Sequence, residues 1–104
     1  MYRLTPKNRQ HLKRQAHQLK PVLIIGKEGL TPTFLKELVL TINNIELIKC
    51  KVSISAWKNI NLIEKTIKEL PDGITIVDRI GHTLILFKPK SEDETKYSLK
   101  TSNS

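Results

Sequence analysis

Apolar residues recur along this chain with two periods, and the changes of period mark its elements. Between Pro6 and Leu19 they are sparse: Leu12, Ala16 and Leu19. That i, i+4, i+7 seam predicts a helix that docks along a narrow line and leaves a broad basic face in water. Thr5 followed by Pro6 supplies its start, an N-cap with proline at the first helical position. Val22-Leu23-Ile24-Ile25 is too short for a helix and β-branched enough for a buried strand. Thr31-Pro32 repeats the start signal, and Leu35, Leu38, Val39 and Ile42 put one apolar stripe on a second helix. Asn43-Asn44 is expected to close that helix. From Leu47 to Ile54 the pattern alternates, with Ile48, Cys50, Val52 and Ile54 on one face and Lys49, Lys51 and Ser53 on the other. This reads as a strand with one dry face and one wet, basic face. Asn59 or Asn61 caps a third helix carrying Ile63, Ile67 and Leu70, ended by Pro71-Asp72-Gly73. Ile74–Ile80 and Thr83–Lys88 form a hairpin around Gly81-His82, with glycine first, as a type II′ turn prefers.

The element order α-β-α-β-α-β-β predicts an α/β domain with a four-stranded mixed sheet and crossover helices packed on it. Two right-handed βαβ crossovers place the first three strands, and the hairpin adds an antiparallel pair. The first strand, apolar on both faces, is expected at the centre. The second and third helices are expected to share one face of the sheet. From Lys90 the chain is polar and charged apart from Tyr97 and Leu99. The division is therefore a domain over 1–90 and a disordered tail over 91–104. No repeat of solenoid length is present.

Charge sharpens this picture. Residues 1–60 hold 11 Lys and Arg against 3 Asp and Glu, whereas residues 61–104 hold 7 of each. The whole net charge of +8 thus lies in one half of the chain, which points to a polyanionic partner or, more plainly, to solubility. One cysteine, Cys50, excludes an internal disulfide and a cysteine-rich zinc site. On the dry strand face it reads as a small buried hydrophobe. The longest apolar run has four residues, which excludes a membrane span. Residues 1–20 are basic and acid-free but lack the serine and arginine richness of a transit peptide. The cytoplasm is the expected location, and a monomer the expected state.

The candidate chemistry lies between the first strand and the second helix, at Gly26-Lys27-Glu28-Gly29. Glycines let backbone N–H groups approach a phosphate, and the following helix start adds donors and partial positive charge. The other reading of such a turn is a plain connection. Lys27 adds a full charge, and Lys13, Arg14, Lys20, Lys49 and Lys51 supply a field around it. Glu28 is the awkward member; it either turns away or pairs with a basic neighbour. His17, near the end of the first helix, is a dipole-assisted helix-end residue or, alternatively, a phosphate or sugar contact. Trp57 is expected to be buried against the third helix, with stacking on a base as the alternative. With aromatics at 5%, recognition of shape and backbone is expected over base readout. His11, His17 and His82 show no metal-ligand spacing, Asp78 and His82 read as a surface pair rather than a catalytic dyad, and the carboxylates are scattered. No enzyme, metal or cofactor is expected. An acidic protein partner, with the chain as an adaptor, is the alternative to a nucleic acid.

The run Leu19-Lys20-Pro21-Val22-Leu23-Ile24-Ile25-Gly26-Lys27-Glu28-Gly29-Leu30-Thr31 resembles the signature of the YhbY-type proteins, stand-alone forms of the CRM domain. Ala16-His17-Gln18-Leu19, Glu46–Lys51 and Ile80–Pro89 agree with the family's first helix end, second strand and final hairpin. The resemblance covers about residues 3–90. It implies an RNA-binding domain with a mixed four-stranded sheet. It also implies association with ribosomal RNA in precursors of the large subunit, and a Gly-x-x-Gly loop comparable to that of KH domains, here Gly26 to Gly29. The splicing role of the multidomain plant members does not transfer to a single domain.

Overall fold

Thr5, Thr31 and Ser53 each turn a hydroxyl back onto the amide three residues on, at 3.1 Å in every case, and a helix starts behind each. The computed structural model describes residues 5–89, so the tail expected over 91–104 lies outside the described residues. In chain order the elements are α1 (Pro6–Ala16), β1 (Leu23–Ile25), α2 (Pro32–Ile45), β2 (Leu47–Val52), α3 (Ile54–Trp57), α4 (Ile60–Glu69), β3 (Thr75–Ile80) and β4 (Thr83–Phe87). Both Thr-Pro starts act as expected. The hairpin turns on two residues, Ile80 facing Thr83, with Gly81 at φ +58.

The sheet order is β1-β2-β4-β3. β1 and β2 are parallel, and β4 lies antiparallel to both β2 and β3. The second crossover therefore lands one strand beyond its start, and β4 fills the gap. This corrects the expected position of β1, which is an edge. The strand buried on both faces is β4, where Leu84, Ile85, Leu86 and Phe87 are all fully buried. Ile24, the middle residue of β1, is 65% exposed. An apolar run alone did not distinguish the two, because burial depends on which strands flank it.

Two cores sandwich the sheet. α2, α3 and α4 cover one face, with Leu38, Ile42, Ile63 and Ile67 packed on Ile25, Ile48, Cys50, Val52, Leu84 and Leu86. α1 covers part of the other through Leu12 and Ala16, with Leu19 against the same cluster of Leu47, Val77, Ile85 and Phe87. The face of β2 expected to be wet is thus half dry: Leu47 is buried beneath α1, Lys49 is half-buried and Lys51 is exposed.

Three boundaries also differ from expectation. α1 ends at Ala16, and the residues to Leu19 continue as turns whose amides bond back to residues 13–16. Ile54 leaves the strand to open α3 and is 75% exposed, because the Ser53 cap starts a helical turn there. α2 runs past Asn43-Asn44 to Ile45 and stops at Glu46, a buried residue at φ 71, ψ −60. That is the rare, strained γ-turn conformation, held here by a non-glycine side chain.

Candidate nucleic-acid interface

β1, β2 and β3 all point the same way, so their carboxyl ends lie together at one end of the sheet. From Ile25 the chain enters the Gly26–Gly29 turn, from Val52 it enters Ser53 and α3, and from Ile80 it enters the Gly81-His82 tip. Crevices outside the carboxyl ends of strands are where open α/β sheets take ligands. Hydrogen bonds tie the three exits together. The Ser53 N–H donates to the Ile25 carbonyl at 2.9 Å and the Val52 N–H to the His82 carbonyl at 2.7 Å.

The glycine turn is closed by its own hydrogen bond, Gly29 N–H to Gly26 C=O at 3.0 Å. Gly29 lies at φ +73, the left-handed region that glycine enters without strain. A β-turn leaves the amides of its two central residues, Lys27 and Glu28, directed away from the closing bond. Gly26, Lys27 and Glu28 are exposed, and a Cβ at either glycine would meet no atom within 4 Å. The turn stands as a ridge between two depressions. A cleft of about 270 Å³ separates Lys27, Glu28 and Leu30 from Ala56, Asn59 and Ile63. A shallower hollow on the other side reaches Ile24, Thr31 and Phe34.

The helix start behind the turn offers less than its sequence suggests. Pro32 has no N–H, and the Phe34 and Leu35 amides bond to the Thr31 hydroxyl and carbonyl. The Thr33 amide is the first-turn donor that these caps leave.

The cations divide into two groups. Lys51 pairs in register with Ile24, so its exposed side chain shares a sheet face with the strand that feeds the turn. Lys27 is on the turn itself. Lys49 lies one row further back, half-buried, and Arg14 and Lys20 are exposed on and after α1. Lys13 is turned to the opposite edge of the sheet, where its Nζ is 2.9 Å from Asp78 Oδ2. Glu28 is exposed and has no ion-pair partner among the described residues. His17 is the exposed C-cap of α1.

Asp78 and His82 do not meet, since Asp78 faces α1 and His82 lies against Trp57 on the far side of the sheet. The two rings are 4.8 Å apart between centroids and tilted by 41°. The Arg79 guanidinium sits 6.0 Å from the Trp57 ring centroid. Trp57 is half-buried at the rim of the larger core, so its expected burial is only partial. Arg79 and His82 were not legible as neighbours of Trp57 from spacing. The signal lay in the shared direction of β2 and β3, which brings residues 53–58 beside the hairpin tip. Cys50 is fully buried, and burial pushes its thiol up to about 12 despite an opposing backbone hydrogen bond at Ile25. Among the described residues no group of three or more His, Cys, Asp or Glu could hold a metal. No described helix is long and apolar enough to cross a membrane.

Comparison with known proteins agrees with this architecture. The family model of the CRS1/YhbY (CRM) domain matches residues 4–88. A Haemophilus influenzae RNA-binding protein is 38% identical over 92 residues, covering 88% of this chain and 92% of that protein. A Bacillus subtilis protein named as a probable RNA-binding protein, YqeI, is 28% identical over 88% of this chain and 94% of its own. The solution structure of a Staphylococcus aureus protein, titled as a candidate RNA-binding protein, superposes with a TM-score of 0.66. That protein is 25% identical, with 88% of this chain and 95% of the other covered.

Proposed function

The chain belongs to the CRS1/YhbY (CRM) domain family, and from that premise we propose that it binds RNA through the Gly26–Gly29 turn. Its target is ribosomal RNA in precursors of the large ribosomal subunit, where it acts as an assembly factor. The observation that carries the reading is the open ridge of the turn, with two outward amides, Lys27 upon it and Lys51 beside the strand that leads into it. Those groups match the phosphate backbone of a nucleic acid, with amides giving directed bonds and lysines giving charge. Lys20, Arg14 and Lys49 extend the positive surface back along α1 and β2, while Lys13 serves mainly to hold α1 in place. The relatives named for RNA binding support the ligand class, and the family resemblance supports the ribosomal target.

Sucrose-gradient fractionation of a lysate in low and moderate salt tests the reading. Co-sedimentation with large-subunit precursors, abolished by ribonuclease, is the expected result. Complexes that survive ribonuclease would instead make the chain a basic adaptor for an acidic protein.

A further inference from the structure

The Arg79–Trp57–His82 cluster has no task in holding the phosphate backbone, yet it lies at the same end of the sheet as the turn. We infer that it is a stacking seat for an unpaired base of the strand whose phosphates the Gly26–Gly29 turn holds. The inference rests on the RNA reading above and adds that single-stranded RNA is the preferred form. Trp57 is anchored rather than free: its indole packs on the rim of the larger core and its amide bonds to the Ser53 carbonyl at 2.9 Å. His82 is exposed, and the Val52 amide on its carbonyl fixes its place in the turn. Arg79 is held by the Glu64 carboxylate and by Asn61 Oδ1, the latter at 2.8 Å from Nη2. Three flat groups are thus positioned before any ligand arrives. Pre-positioning lowers the ordering cost of binding.

The chemistry favours a base over a phosphate. Arg79 already shares its charge with Glu64, so what it and the two rings offer is planar surface. Every base has a π-face that such a surface can take. The exposed Lys58, next to Trp57, offers a cation for the adjoining phosphate. α3 sits between the two sites, with Ala56 on the cleft beside the turn and Trp57 on the hairpin side. β1 and β4 are two strand spacings apart, about 10 Å, so one short strand crossing α3 touches both. A duplex keeps its base faces stacked inside and cannot use the seat.

Trp57 is the only tryptophan, so its emission reports the seat directly. The probes are a labelled single-stranded homopolymeric ribo-oligonucleotide of about ten nucleotides and an RNA duplex of equal length. Binding of the single strand should quench Trp57 over the same concentration range in which label anisotropy rises. His82→Ala should weaken single-strand binding roughly five- to tenfold and duplex binding much less, and His82→Tyr should restore it. Because His82 is exposed, these variants spare the core that Trp57 substitution would disturb. Single-strand binding with unchanged Trp57 emission, or wild-type affinity in His82→Ala, would overturn the seat and leave the RNA reading intact. Binding to neither RNA would overturn both.

Discussion

Lys13 Nζ lies 2.9 Å from Asp78 Oδ2, and the pair pins the last turn of α1 to an edge strand. Burial alone would raise the Asp78 carboxyl. The hydrogen bonds from Lys13 and the Arg79 amide, with the charges of Lys13 and Arg9, outweigh it and hold the group below the ordinary 3.8. A depressed folded-state pKa stabilises above the unfolded value, and that gain disappears as pH falls through the folded one. Both side chains are about a third exposed (32% and 34%), so solvent screening limits the pair to under about 1 kcal/mol. Asp78→Asn should therefore lower stability slightly at neutral pH in urea titrations. The gap to wild type should close below the usual carboxylate range.

α1 is held by a thin seam. Leu12 is fully buried against Leu47, Val77, Ile85 and Phe87, and Leu12→Ala should cost about 2–5 kcal/mol. Hydrogen exchange should show the α1 amides losing protection before those of β2 and β4. Equal loss across all three would mean that the helix and sheet unfold as one unit.

Glu46 reverses the usual order of glycine and alanine. At φ 71 an alanine carries steric strain that glycine avoids. Glu46→Gly should be more stable than Glu46→Ala by about 1 kcal/mol, a comparison from which the lost side-chain contacts cancel. Thermal unfolding of the two variants measures it.

The glycines of the turn separate folding from binding. Gly26 does not lie at positive φ, whereas Gly29 does, and both face open space. Gly26→Ala should fold as well as wild type, while Gly29→Ala should lose about 1 kcal/mol. Both should bind RNA more weakly, because a side chain then stands between the amides and the phosphate. Lys27→Ala and Lys51→Ala should each lower the log–log salt slope of binding by roughly 0.7–0.9. Slopes unchanged by both substitutions would remove these lysines from the interface.

Cys50 should stay silent in the native protein. Its thiol is buried and pushed up to about 12, so little thiolate forms at neutral pH. A thiol reagent should label it only at the rate of global unfolding.

Local signals in the chain were legible and non-local ones were not. Thr5-Pro6, Thr31-Pro32, the Gly26–Gly29 turn and Gly81-His82 are each specified within a few residues, and the structure reproduces them all. α3 was hidden because Ile54 continues the alternation of β2, and only the Ser53 hydroxyl marks the change. The edge position of β1 is set by β4, some sixty residues later, which takes the inner place beside β2. The partial cover on the Lys49 and Lys51 face has the same origin, since it depends on where α1 docks. Trp57, His82 and Arg79 meet only because β2 and β3 leave the sheet on the same side.

The two borders of the sheet have a bearing on crowding. A polyanion that gathers many copies of a basic protein brings their strand borders close together, where unpaired backbone can recruit a neighbour. Here one border is three residues long and follows Pro21. The other is broken by an irregularity between Ile76 and Asp78, where Arg9 caps the Val77 carbonyl. Neither offers a long straight template, which disfavours edge-to-edge pairing between copies brought close together.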